Sequence, residues 1–481
     1  MDLISTTFLF FVLISLAVYY LLPFRFQNIW LLIVSIVFYL TWGIGFTIFL
    51  FLVTIINFYI ARAIEKQSKH RKIYLWIGII LNFSSLFFFR LTSSGYLIRL
   101  IEYFTRHPAD GSLSILNVLL PIGFSFYILQ AISYLIDTYQ KQIRPSENFV
   151  DFFLYMAYFP KMVSGPIERA RSFLPQLSKP RRVDITTISR SFTLLFIGLV
   201  RKVLIAEVLK SAIPEFMFTK PLEYAAIDLL FGIAIYGFWL YNDFAGYTGI
   251  VRGISGFFGI ELTPNFQQPF FARSFVEFWN RWHISLSFWL RDYIYFPLSR
   301  SLFRRISDQK NLISIFLPPI VTMLASGFWH NLGFYMLSWG ALHGFYQATE
   351  RFFSTRKPGL PANKQPTTIQ ILNVLKINIL LIPTWILFGS GGLQKAFRFS
   401  TALFTAEGKP TVLPVLIIVP ITWIVVSLLI DWFQYHSGDE FVFLRWNRYA
   451  QAGALAVLSC SLLMNNLWSE IPVASFIYQG F

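Results

Sequence analysis

The chain holds six histidines. Two of them, His330 and His343, fall in SGFWHNLGFYMLSWGALHG (326–344), a stretch with no formal charge. A third, His283, sits in NRWHISLSFWLRDY (280–293). An ionisable group at membrane depth is rare and points to function. An imidazole shielded from charge stays neutral, the form a general base needs near pH 7. His330 is the leading candidate. It follows Trp329 at the end of LISIFLPPIVTMLASGFW and precedes Asn331; its ordinary alternative is a polar cap between two spans. His343 lies among Gly340, Ala341 and Gly344, small residues that let helices approach, so an interhelical hydrogen bond would explain it. On one continuous helix His283 lies roughly 200° from Arg281. It then shares an apolar face with Trp279, Leu286, Ser287 and Leu290, opposite Arg281, Ser285 and Asp292, as a core histidine does.

Three acids stand within or beside apolar runs: Asp137, Glu168 and Asp243. Ion pairing or helix packing is the default for each, and Asp243 is the most notable because Tyr241 and Asn242 flank it. A metal site is not expected, because no HxxxH, HExxH or Asp-rich loop occurs and the interior histidines do not share a helix at ligand spacing. Walker A, dinucleotide-binding and GxSxG signatures are absent. Cys460 is the sole cysteine, which excludes an intrachain disulfide, a cysteine-based zinc site and a redox pair.

The elements that must position these residues are membrane helices. Of 481 residues 56% are hydrophobic and only 13% charged, and the mean hydropathy is +0.58. That is the composition of a polytopic membrane protein. The apolar runs predict spans near 5–23, 29–43, 45–61, 73–90, 115–137, 188–208, 225–247, 312–329, 334–350, 369–389, 411–431 and 450–466. The expected fold is all-α, with about 11–12 transmembrane helices. The first run lacks a basic n-region and a cleavage site, so it reads as a span and not a signal peptide. Segments 149–166, broken by Pro160, and 276–298, charged throughout, read as partial insertions. Polar or irregular backbone at membrane depth survives only where protein buries it or a cavity wets it, so the pair suggests an internal chamber.

The formal net charge of +16 comes from short basic loops, which suggests orientation and contact with anionic membrane lipids instead of nucleic acid. Loops 61–72, 167–182 and 351–364 fall on one side of the span list, which is then cytoplasmic, and both termini face outward. The loop 357–366 reads as the one plausible stretch of low order. No internal repeat is evident, and residues 1–481 read as a single integral membrane domain with its motif-bearing core at about 115–350. A buried base, a wet chamber and a basic cytoplasmic face suit acyl transfer from an anionic donor to a hydroxyl. They suit an anion transporter about as well, although no paired set of broken helices is seen.

Five stretches carry a resemblance that separates these readings: LPIGFSFYILQAISYLIDTYQ (120–140), YMAYFPKMVSGPIERA (155–170), WLYNDFAGYTGIVRGISGFFGIEL (239–262), FWNRWHISLSFWLRDYIYFPL (278–298) and GFWHNLGFYMLSWGALHG (327–344). In this order they resemble the membrane-bound O-acyltransferase family. The likeness is greatest to its bacterial branch of alginate and peptidoglycan O-acetyltransferase subunits and teichoic acid D-alanyl transferases. The resemblance implies helices and re-entrant pieces around a central chamber in the bacterial cytoplasmic membrane. It implies that His330 is the catalytic base and His283 the second family histidine, with His343, Asn331, Asp243 and Trp329 as supporting candidates. Asn331 is a departure, since the branch pattern has Gly after the catalytic histidine. The donor implied is an acyl-CoA, acetyl-CoA foremost, or a carrier-protein thioester in the D-alanyl type, whose members tend to lack as much sequence as residues 369–481. The partner implied is a separate extracytoplasmic SGNH-type transferase, with an exopolysaccharide or peptidoglycan as final acceptor.

Overall fold

The computed structural model describes residues 1, 3–67, 69–93, 121–182, 184–306, 308, 311–356, 365–405, 408 and 414–468. Among the described residues the regular structure is helical, with one isolated antiparallel bridge between Phe266 and Trp282. Two compact units form.

The first unit comprises Met1–Ser191 and Val251–Thr263. It opens with Thr6–Leu21 (α1), whose N-cap Ser5 accepts from the Phe8 N–H at 3.1 Å. Phe24–Leu40 (α2) follows directly after Pro23, a residue suited to a helix start. Ile44–Lys66 (α3) and Arg71–Ser93 (α4) are each 23 residues long. Their contact is polar as well as apolar: the amides of Asn57 and Asn82 exchange hydrogen bonds at 2.8 and 3.2 Å, the kind of pairing that joins helices in lipid. Phe124–Tyr139 (α5) packs so tightly on α4 that a Cβ on Gly78 would sit 2.4 Å from Leu135. The part of the expected span 115–137 before residue 121 lies outside the described residues.

Segment 149–166 is broken, as its proline implied. Phe149–Ala157 (α6) starts on an Asn148 cap and gives way to a 3-10 turn at Phe159–Lys161. Protein buries this irregular backbone from all sides, which is the condition for its survival at depth. Lys161 Nζ donates to the Tyr155 carbonyl at 2.7 Å and to Gln130. The Glu168 carboxylate accepts from the backbone N–H and hydroxyl of Thr263 at 2.6 and 3.0 Å. Ala170–Leu177 (α7) closes this part of the chain.

The second unit comprises Phe192–Ile250 and the described part of Pro264–Phe476. Ile185–Leu199 (α8) enters it and loosens into a π-helical turn at Val200–Ala206 before Glu207–Ser211 (α9). Ala226–Phe257 (α10) packs on that turn backbone to backbone: a Cβ on Gly198 would meet Ile250 N at 2.6 Å, and one on Gly246 would meet Lys202 N at 2.6 Å. Next come Phe275–Arg281 (α11), Ile284–Leu290 (α12), a π-helical turn at Arg291–Tyr295 and Phe296–Arg305 (α13). Leu312–His330 (α14) and Phe334–Arg356 (α15) form a close antiparallel hairpin. Thr367–Ser390 (α16), Leu393–Thr405 (α17), Pro414–Ser437 (α18) and Arg448–Trp468 (α19) complete the chain.

Five described helices are long and apolar enough to cross a membrane: α3, α4, α14, α16 and the Ile417–Ser437 part of α18. Helices α1 and α2 are apolar but shorter. The protein is an all-α, multi-pass membrane protein. Residues 357–364, most of the expected low-order loop, lie outside the described residues.

Candidate functional site

The continuous helix expected through His283 does not form. Helix α11 ends at Arg281, Trp282 is extended, and His283 takes the left-handed conformation at φ 43°, ψ 52°. The facial argument that set His283 opposite Arg281 therefore fails. The cause is a distant segment. Trp282 bridges Phe266, the Gln267 N–H donates to the Arg281 carbonyl at 3.0 Å, and the Ile284 N–H donates to the Asn265 carbonyl at 2.9 Å. The Asn265 side-chain oxygen takes the next amide, Ser285 N, at 3.2 Å. Asn265 thus caps α12 from outside the helix, and nothing in local periodicity announces it. Helix α11 itself starts on a strong local signal: Ser274 accepts from Glu277 N at 3.0 Å, and Glu277 returns a carboxylate oxygen to Arg273 N at 2.9 Å, a variant of the capping box.

The α14–α15 hairpin delivers the other two histidines. Its seam is made of glycines. A Cβ on Gly327 would sit 2.2 Å from the Met336 carbonyl, one on Gly340 2.3 Å from the Met323 carbonyl, and one on Gly344 2.6 Å from Ile320 Cα. Backbones can approach this closely only where side chains are missing. His330 is the last residue of α14. Asn331 breaks the helix in an extended conformation, and its side-chain oxygen accepts from Gly333 N at 2.8 Å. Asn331 therefore shapes the turn that holds His330.

All three histidines are buried. The ring centroids of His283 and His330 lie 6.5 Å apart, close enough for both imidazoles to reach one reacting group placed between them. Trp329 stands 4.9 Å from His330 and 6.0 Å from His283. Trp339 and Phe388 wall His330 at 5.4 and 5.6 Å, and Phe244 meets His283 edge-on at 4.8 Å. His343 is set further back, 4.8 Å from Trp339 and 5.0 Å from Trp279. The Asp243 carboxylate pairs with buried Lys202.

Beside the cluster the second unit holds a half-open cavity of about 970 Å³, large enough for an extended ligand. Trp279 lines it and packs on both His343 and Trp339. Helix α15 runs Trp339, His343, Gln347 and Arg351 along one face at steps of four, from the histidines to the cavity wall. Among the described residues Arg273, Arg291, Arg351 and Lys376 line the cavity against one lining carboxylate, Glu350. Sequence reasoning had the basic loops but missed Trp279, Trp339 and Phe388 as walls, because aromatic residues are common throughout this chain, and it missed Gln347, which no local signal marks. Among the described residues no group of three or more His, Cys, Asp or Glu side chains gathers as a metal site.

A pair of buried histidines beside a basic cavity, carried on membrane helices, is an arrangement suited to group transfer. The family model of MBOAT, membrane-bound O-acyltransferases, matches residues 18–390. The chain belongs to this family and is an O-acyltransferase. It is 33% identical over 410 residues to a probable alginate O-acetylase AlgI of Azotobacter vinelandii, covering 83% of this chain and 77% of that protein. A peptidoglycan O-acetyltransferase of Helicobacter pylori is 30% identical over 413 residues, covering 80% and 75%. A teichoic acid D-alanyltransferase of Streptococcus thermophilus is 31% identical over 241 residues, covering 49% and 57%.

Proposed function

We propose that the protein moves an acetyl group from cytoplasmic acetyl-CoA to a hydroxyl on the outer side of a bacterial cytoplasmic membrane. The observation that carries this reading is the pair His283 and His330, 6.5 Å apart in one aromatic enclosure next to a basic cavity. His330 Nε2 or Nδ1 takes the acceptor's hydroxyl proton as the oxygen attacks the thioester carbonyl. The tetrahedral oxyanion collapses, the C–S bond breaks, and the proton passes from His330 to the departing thiolate. His283 donates a hydrogen bond toward the carbonyl oxygen where negative charge develops. Trp329, Trp339 and Phe388 keep the site dry, which strengthens both contacts. The cavity's arginines and Lys376 attract the donor's phosphates.

The basic loops would face the cytoplasm and both termini the outside. The final acceptor would be an exopolysaccharide or peptidoglycan, reached through a separate SGNH-type transferase. The names of the relatives from Azotobacter vinelandii and Helicobacter pylori support the acetyl group and the polysaccharide class. A carrier-protein thioester carrying D-alanine is the second reading, supported by the relative from Streptococcus thermophilus.

The test uses inverted membrane vesicles and acetyl-labelled acetyl-CoA, with wild type and His330→Ala side by side. Label reaching a hydroxyl acceptor in wild type and lost in the variant is the expected result. Equal transfer by both proteins would remove His330 from the reaction. Transfer only from an aminoacylated carrier protein would select the second reading.

A further inference from the structure

One face of α18 meets the segment that leads into His283. Asp431 is fully buried, pairs with Arg201 and accepts from the Tyr241 hydroxyl at 2.9 Å. Arg201 also donates to the Asn242 side-chain oxygen at 3.0 Å, and Ser427, one turn before Asp431, donates to the same oxygen at 2.9 Å. One turn after Asp431, Gln434 bonds Gln268 at 3.2 Å, and the Tyr435 ring stacks on Phe271 at 5.2 Å with Arg281 over it at 5.1 Å. Residues 427, 431, 434 and 435 share one helix face.

Tyr241 carries these contacts inward. Its ring lies 5.6 Å from Phe266 and 6.2 Å from Trp282, the two residues that form the bridge at the break. Phe244, nearly one turn further along α10, lies 4.8 Å from His283. A left-handed histidine is strained and persists only where its surroundings over-determine it. Asn265 holds the backbone of this turn on one side. The aromatic layer supported by α18 holds it on the other. Helix α18 lies beyond residue 390, where the family match ends.

We propose that α18 is a positioning element for the reaction: Asp431 through Tyr241, and Tyr435 through Phe271 and Arg281, hold the turn that aims His283. Its effect on rate rests on the reading of His283 as the group facing the thioester. Asp431 and Tyr435 touch no reacting atom in this account; they fix a residue that does.

The test uses the full-length protein in native membranes, with Tyr241→Phe and Tyr435→Ala. The first removes one hydroxyl and keeps both the ring and the Arg201–Asp431 pair, so folding is retained. Histidine carbethoxylation by diethyl pyrocarbonate, located by mass spectrometry, reads the turn directly and needs no activity. The expected result is several-fold faster modification of His283 in both variants, with His343 unchanged. In the labelled-acetyl assay kcat per folded molecule then falls by up to about 10²-fold, the scale of a small misplacement, with the donor KM unchanged. Unchanged His283 modification in both variants would overturn the proposal. So would a loss confined to the amount of folded protein. Faster His283 modification with wild-type transfer would keep the positioning role and instead remove His283 from the reaction.

Discussion

At the scale of single residues, His330 and Asn331 are neighbours with separable duties. His330→Ala should lower transfer by on the order of 10²–10⁴-fold, the range of a positioned base, with helicity and membrane insertion retained; circular dichroism and the labelled-acetyl assay read the two together. Asn331→Gly removes the side-chain bond to Gly333 N and loosens the backbone at the turn. It should cost about 0.5–1.5 kcal/mol, read as a lowered unfolding midpoint in detergent, while transfer persists. A loss in Asn331→Gly as deep as that in His330→Ala would mean that Asn331 takes part in the chemistry. The burial of His330 and His343 was legible in the sequence because both lie in a charge-free stretch; His283 stands among charges, and its own residues read only as a core histidine. The left-handed conformation of His283 was not legible, because it is imposed by Asn265 and Phe266. Periodicity reads only neighbours along one helix, and through 276–298 it runs on as though no break existed.

At the scale of the element, the α14–α15 hairpin sets His330 against Trp339. Gly340→Ala places a methyl group 2.3 Å from the Met323 carbonyl. The helices must part, at a cost of about 1–3 kcal/mol typical of overpacking. Stability and transfer should fall together, while Gly392→Ala, which meets nothing within 4 Å, leaves both intact. The small residues around His343 were legible as a packing seam. The break within 149–166 was legible from Pro160, and the structure adds its reason to persist, since Lys161 and Glu168 find partners inside the protein. Expected span 188–208 was legible as apolar but not as interrupted. Its π-helical turn accommodates Arg201 and Lys202 toward acids on α18 and α10, partners far away in the chain.

For the whole molecule, the balance of charge matters more than any one pair. The net charge of +16 was legible as basic loops, and part of it lines the cavity as Arg273, Arg291, Arg351 and Lys376. Which basic residues converge there depends on how α11–α13, α15 and α16 pack, and no local pattern holds that information. Arg351→Gln and Lys376→Gln should raise the donor KM by up to roughly fivefold each, as for partly exposed charge pairs, with kcat little changed. The increase should shrink as salt is added, because screening weakens the wild type too. A kcat effect without a KM effect would place these residues in the chemical step.

Trp329 and Trp339 flank His330 at 4.9 and 5.4 Å, and that closeness gives the proposed catalytic centre an optical signal of its own. A protonated imidazole quenches indole emission at contact range, whereas a neutral one does so far less. If His330 is the base, changes in its charge during a turnover should therefore register in the emission of these two tryptophans. Subtracting the spectra of Trp329→Phe and Trp339→Phe from that of the wild type isolates them from the other indoles of the chain. The residues that wall the proposed base would thus also be the chromophores by which its proton is followed in time.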